Sequence, residues 1–434
     1  MIDCFIVSLF LISTLVMGIY SGKDIMTFSE YPISKRNYST TVLTATLFAT
    51  VIGGGSTYGL CAKVIGEGGG VFIAIFYGCL SVSDVMHRVY GKPGQVLTSV
   101  FTILVSTGSV GSQIFAFGHV LNSIFEIPLL LSSAIGAFII LSYSSFGGIK
   151  SVVFTDVFQY LFIIVCIPLL FIVSVYYADF SSLGFGINNL FYSHVEYGEN
   201  TVKYSSLFII LLFSSLDPSY IQRLLISKNT EQAIKSNTYS GYMSLVHFTL
   251  IGIIGICLHN ILPNIDSQIA LTFFINKFLI VGLKGLIICS FLAAVMSSAD
   301  SDLHIIGVTF VSDIMGYLCG SMSERVKIKY ARISTFAIGL VSFYIAHSFD
   351  NIIDIMSYAF SFWMPTILIP FVLALYGKTF GNGIFLIGVI LSSLVTFWWN
   401  SFLDSQIEGA IIGAVIHILF LIYINNKYAA KPKF

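Results

Sequence analysis

From end to end, this chain alternates between apolar runs of about 20 residues and short polar connections. A run of that length is what a helix needs to cross a roughly 30 Å hydrocarbon core at 1.5 Å per residue. In lipid every backbone N–H and C=O must be satisfied internally, so only helices or closed barrels can span. The runs are continuous rather than alternating polar and apolar, which selects helices. The expected fold is therefore an all-α polytopic membrane protein occupying residues 1–434 as a single transmembrane domain. Composition agrees: 56% of residues are hydrophobic and 10% charged, where a soluble domain carries roughly 25% charge.

Thirteen spans are expected, at about 2–20, 40–65, 69–89, 97–123, 127–146, 150–177, 203–226, 237–260, 281–306, 330–348, 351–376, 382–400 and 408–425. Residues 267–279 form an amphipathic segment outside the membrane. The first run carries Asp3 and lacks a basic leader, so it reads as a membrane helix rather than a cleaved signal. With the N-terminus outside and alternation thereafter, all but four of the 21 Lys and Arg residues (Lys63, Lys203, Lys277 and Lys284) fall on the inner side. That satisfies the positive-inside rule and gives an N-out, C-in chain. The net charge of zero offers no attraction to nucleic acid. The seven cysteines lie scattered with no CxxC pair, which argues against a metal or disulfide framework.

Two spans carry breaks. Span two contains Gly53-Gly54-Gly55 inside an apolar run, and each glycine costs a helix about 1 kcal/mol relative to alanine. It reads as either a close-packing surface or an unwound, ligand-facing segment. Span seven contains Ser214-Ser215-Leu216-Asp217-Pro218, where proline removes a backbone donor; an ordinary helix end is the other reading. The breaks lie five spans apart. Paired broken helices of this kind mark secondary transporters built from inverted repeats, whose freed carbonyls hold ions and solute near the midplane. The repeats would be about 40–177 and 203–376, with peripheral helices at about 2–20, 382–400 and 408–425.

Span nine contains Ala294-Val295-Met296-Ser297-Ser298-Ala299-Asp300-Ser301-Asp302. Na⁺ is a hard cation that takes oxygen ligands, and Ser297 and Ser298 can supply hydroxyls while Ala294 supplies a carbonyl. The same hydroxyls can equally bond back to their own helix. Intramembrane carboxylates are expensive and functional by default. Asp300 is either on an ion path or solvated at the cytoplasmic mouth, and Asp313 reads as simply solvated.

These residues resemble those of the sodium/solute symporter family. The stretch Ala293 to Ser301 resembles its most typical motif. Tyr143-Ser144-Ser145-Phe146-Gly147-Gly148-Ile149-Lys150-Ser151, continuing to Asp156, resembles a second. The resemblance implies about 13 helices in a leucine-transporter-like 5+5 inverted repeat. It also implies a sodium site formed by Ala294, Ser297 and Ser298 with carbonyls from the Gly53 and Ser56 region. Asp156 matches a family aspartate linked to cation coupling, and pairing with Lys150 or Arg223 is its structural alternative. Sodium/proline carriers of the family have an aspartate where this chain has Gly55.

The expected function is Na⁺-coupled symport of a small organic solute by alternating access, with an amino acid or quaternary amine favoured. Proton-coupled or uncoupled transport on the same fold and a transporter-like sensor are the alternatives. Candidate solute contacts are Thr57, Tyr58, Gln113, Ser214, Ser215, Tyr220, Tyr358 and Trp363. No cofactor is expected beyond Na⁺ as the transported ion. No HExxH or GxSxG motif occurs, so an enzyme is not expected. The expected location is the plasma membrane.

Overall fold

A computed structural model describes the chain apart from residues 24–26, 35–36, 60, 63–82, 179–217, 350–354, 356–358, 360, 376–379, 404, 406 and 429–434. Its ordered elements are helical, with no strand among the described residues. In chain order they are α1 (Ile2–Ser21), α2 (Glu30–Ile33), α3 (Thr40–Val51), α4 (Ser83–Phe125), α5 (Leu129–Tyr177), α6 (Pro218–Leu225) and α7 (Thr230–Ile261). There follow α8 (Ser267–Phe278), α9 (Leu283–Thr309), α10 (Gly316–Cys319), α11 (Glu324–Ala346), α12 (Ile369–Leu375), α13 (Asn382–Phe402) and α14 (Gly409–Tyr428). Wider π turns occupy Gly55–Gly59, Phe310–Met315 and Met364–Leu368. Among the described residues six helices are long and apolar enough to cross a membrane. This is an integral membrane protein.

Two expected boundaries differ from what the fold shows. Residues 90–96, read as a connection between spans three and four, are helical within α4. Gly91, Pro93 and Gly94 mark a turn by composition, and tertiary context overrides such local preferences. The expected connection after residue 146 shrinks to one joint: α5 is interrupted at Gly148, where φ is 54° and ψ is −171°. That backbone region is open essentially to glycine alone, which explains a glycine in the second motif.

Helix α9 is the centre of the molecule. It is buried along almost its whole length, as expected of a helix surrounded by others rather than facing lipid. Its neighbours are α4, α5, α1, α11 and α3. Helix α1 holds this core from outside. At one end the Asp3 carboxylate accepts from the backbone N–H groups of Gly282 (2.7 Å) and Gly285 (2.8 Å) at the start of α9, an anionic cap on a helix N-terminus. At the other end Ser151 on α5 donates to the Gly18 carbonyl at 2.6 Å. A Cβ at Gly18 would fall 2.7 Å from that of Tyr143, so the crossing of α1 and α5 needs a glycine there.

Candidate cation site

Helix α3 starts conventionally, with the Ser39 hydroxyl accepting from Val42 N–H. It ends in mid-chain at Val51. Ile52 is extended (φ −88°, ψ 97°), and the chain re-coils only at Gly55–Gly59. The glycine triplet is therefore a true break.

The hydrogen bonds of the break decide which oxygens it frees. In a continued helix, Gly53 N–H would bond Ala49 C=O and Gly54 N–H would bond Thr50 C=O. Instead, Gly53 N–H donates to Ser56 Oγ at 2.7 Å and Gly54 N–H donates to Gln113 Oε1 on α4 at 2.6 Å. The carbonyls of Ala49 and Thr50 are thus released, at a helix C-terminus whose dipole favours a cation. Both face the serine pair of α9. Ser297 Oγ donates to Ala49 O at 2.8 Å and to Ala294 O at 3.1 Å, and Ser298 Oγ donates to Thr50 O at 3.1 Å. Ser297 is fully buried and Ser298 nearly so. Ser297 Oγ thus joins the carbonyls of Ala49 and Ala294, and the next residue's hydroxyl, Ser298 Oγ, joins that of Thr50; five neutral oxygens of this kind are a donor set suited to a hard monovalent cation.

The carbonyls freed by the break are those of Ala49 and Thr50, about one turn before the Gly53 and Ser56 region named from the sequence. Gly53 and Ser56 lie beside these oxygens, and a Cβ on Gly53 would fall 2.8 Å from Ser298 Oγ. The Gly53 carbonyl is occupied by Thr57 N–H (3.0 Å) and Thr57 Oγ1 (2.6 Å), and the Ser56 hydroxyl caps Gly53 while donating back to Gly53 O at 3.1 Å. The glycines show where winding stops, whereas the orphaned carbonyls lie four residues earlier. That rule of helix geometry is the signal that would have identified Ala49 and Thr50.

A second polar cluster adjoins the first. Arg223 on α6, Asp156 on α5 and Asp300 on α9 are each fully buried. Arg223 lies 3.6 Å from Asp156, which decides between the two partners considered for that aspartate. Asp156 also accepts from Thr46 on α3. Arg223 donates to Ser219 O at 2.9 Å and to the Ser301 hydroxyl, which in turn donates to the Ser297 carbonyl at 2.5 Å. Asp300 accepts from Tyr143 (3.0 Å) and Thr155 (3.2 Å). It is therefore not solvated at a cytoplasmic mouth. Asp313 is likewise engaged, accepting from Gln95 (2.8 Å) and Ser99 (2.6 Å). One oxygen of Asp156 and Nε of Arg223 have no hydrogen-bond partner among the described residues.

The expected solute contacts fall into separate places. Gln113 and Thr57 are buried beside the break. Tyr58 packs in the main apolar core. The Tyr220 hydroxyl donates to Asn237 on α7 at 2.6 Å. Trp363 lies in a different apolar cluster, with Val105, Phe371 and Phe385, because a large buried ring packs wherever apolar volume needs filling. Ser214, Ser215 and Tyr358 lie outside the described residues.

Comparison with known proteins adds identity to this geometry. The chain is 24% identical over 402 residues to a sodium/glucose cotransporter of Vibrio parahaemolyticus, covering 84% of this chain and 70% of that protein. It is 23% identical over 349 residues to the sodium/sialic acid symporter NanT of Aliivibrio fischeri, covering 75% and 69%. A solved Na⁺-coupled sialic acid symporter, substrate-bound and outward-open, has the same fold, with a TM-score of 0.85 at 19% identity over 100% of this chain and 99% of that one. A nucleobase-cation-symport-1 transporter in a closed conformation is more distant, at 0.51 and 12% over 93% and 96%. These relatives are transporters rather than enzymes, and Na⁺ is the ion their names carry. The family model described as "Sodium:solute symporter family" matches residues 69–391, and the chain belongs to that family.

Proposed function

We propose that this protein is a Na⁺-coupled symporter that works by alternating access, with Na⁺ held by the hydroxyls of Ser297 and Ser298 and the carbonyls of Ala49, Thr50 and Ala294. One observation carries the reading: two carbonyls at the end of α3, released by Ser56 and Gln113, face two hydroxyls of α9. When Na⁺ enters, each hydroxyl turns its proton away and offers a lone pair, so the ion joins α3 to α9. A conformation in which these helices meet then binds Na⁺ better than one in which they part. That difference in affinity is the free energy available for coupling. The sequence-derived frame belongs to the same proposal: thirteen spans, N-out and C-in, with repeats at about 40–177 and 203–376, in the plasma membrane.

The solute is a polyhydroxylated, sugar-type molecule. Relatives named for glucose and sialic acid support this class, and they lend no support to the amino acid or quaternary amine favoured by sequence. The break residues Thr57 and Gln113 are the proposed solute contacts nearest the ion, with Tyr58, Ser214, Ser215, Tyr220, Tyr358 and Trp363 as the remaining candidates. Purified protein in liposomes, given an inward Na⁺ gradient, should accumulate radiolabelled sialic acid or glucose in preference to proline or choline. Accumulation unchanged after K⁺ replaces Na⁺ would reject the coupling ion.

A proton-driven cycle is the second reading. It is favoured by the buried cluster of two carboxylates and one guanidinium, which has one negative charge in excess if both acids are ionised. Uptake driven by a pH gradient in the absence of Na⁺ would establish it.

A further inference from the structure

On helix α11, Arg325, Lys329 and Arg332 recur at spacings of four and three and so share one face. Phe336 and Leu340 continue the same face toward the other end of the helix. The last turn of α5 before its Gly148 joint stands opposite, and between them lies a crevice of about 870 Å³. One end is basic and the other apolar, where Phe336 and Leu340 are 46% and 51% exposed.

The positive charge at the basic end is uncompensated. Lys327, on a different face, pairs with Glu324 at 3.0 Å. Among the described residues no carboxylate pairs with Arg325, Lys329 or Arg332. Arg332 is positioned by donating to Phe146 O at 3.2 Å and lying 5.5 Å from the Phe146 ring centroid, while its Nε has no hydrogen-bond partner among the described residues. Ser145, which lines the crevice, is 4% exposed, and its hydroxyl also has no hydrogen-bond partner among the described residues. Donors and charge are thus arranged around a space that the chain itself does not fill.

The dimensions fit one leaflet. From Arg332 to Leu340 the apolar stretch runs about 12 Å at 1.5 Å per residue, against about 15 Å for half a bilayer's hydrocarbon. We propose that this crevice binds an anionic glycerophospholipid, its phosphate held by Arg325, Lys329 and Arg332 and its acyl chain lying along Phe336 and Leu340. The basic end marks the inner leaflet, because Lys and Arg are retained on that side. The apolar half argues for a lipid over free phosphate, and the three unpaired cations argue for an anionic over a zwitterionic headgroup. The inference is independent of the solute and of the coupling ion.

Native mass spectrometry of the full chain in mild detergent, supplied with phosphatidylglycerol or phosphatidylcholine, tests it. The protein should retain phosphatidylglycerol selectively. The double variant Arg325→Gln/Lys329→Gln alters two exposed side chains and should lose about fivefold per charge, or about 25-fold in retention. Ala337→Trp keeps the charges but fills the apolar half, and it should also lose the lipid. Lys228→Gln/Lys235→Gln, which removes two positive charges elsewhere, should retain it. Equal retention of phosphatidylcholine, full retention by the double variant or by Ala337→Trp, displacement by inorganic phosphate, or equal loss in the Lys228/Lys235 variant would each overturn the proposal.

Discussion

Adding a single methyl at Gly53 tests the cation site most directly. A Cβ there would lie 2.8 Å from Ser298 Oγ and 2.9 Å from Gln113 Nε2, closer than carbon tolerates. The glycine is not needed for its backbone angles, since positive φ among the described glycines occurs at Gly148, Gly282 and Gly320. The effect of Gly53→Ala is therefore steric. In the ion-free protein the clash should be relieved by turning Ser298 Oγ away from Thr50 O and shifting the Gln113 amide. To bind Na⁺ the hydroxyl must return against the methyl, at an overpacking cost of about 1–3 kcal/mol, or the ion must forgo that ligand at about 1.5–3 kcal/mol. Alanine also favours rewinding of the break by about 1 kcal/mol, which would recapture the freed carbonyls. Each effect has the same sign. The half-saturating Na⁺ concentration should rise roughly 5- to 150-fold, measured by binding of radiolabelled Na⁺ to purified protein. Gly241→Ala, where a Cβ meets nothing within 4 Å, should leave it unchanged. A Gly53→Ala protein that binds Na⁺ within twofold of the parent would show that Ser298 and this turn do not form the site.

Further expectations follow from the same geometry. Ser297→Ala/Ser298→Ala should abolish Na⁺-dependent uptake, whereas Ser290→Ala, a buried hydroxyl satisfied by Ile287 O at 2.6 Å, should keep it. Arg223→Gln leaves two buried carboxylates without a counter-charge and should destabilise the protein by about 3–5 kcal/mol; adding Asp156→Asn should restore much of the lost melting temperature. Gly148→Ala forces a side chain into a glycine-only region at the α5 joint and should cost about 1–3 kcal/mol, read as a lower melting temperature in detergent.

The sequence made some of this legible for reasons of chain-local physics. Apolar run length reveals membrane helices, a glycine triplet reveals a break, and adjacent serines in an apolar helix reveal oxygen donors. Each signal is written within one stretch of residues. What escaped depends on partners far apart in the chain. Nothing local says that Gln113, 59 residues on, takes the Gly54 N–H, which is what leaves the Ala49 and Thr50 carbonyls free next to the Gly53 and Ser56 region that the sequence points to. Asp300 read equally as a group on an ion path or as one solvated at a helix end, because the sequence does not say that Tyr143 and Thr155 on α5 close over it. Trp363 and Tyr220 were ambiguous for another reason: an aromatic side chain serves equally as packing, anchor or ligand contact, and its spacing does not tell which.

The clamp made by α1 has a mechanical consequence. Asp3 ties the helix to the start of α9 and Ser151 ties it to α5, so the wall bearing Ser297 and Ser298 is bolted to two neighbours and is reluctant to tilt alone. The opposing wall is a twelve-residue rod ending in an unwound hinge. The facing helix is itself buried along most of its length and tied to α5 through Thr46 and Asp156, so the place where these two oxygen-bearing walls can change their separation should be sought in the unwound residues after Val51.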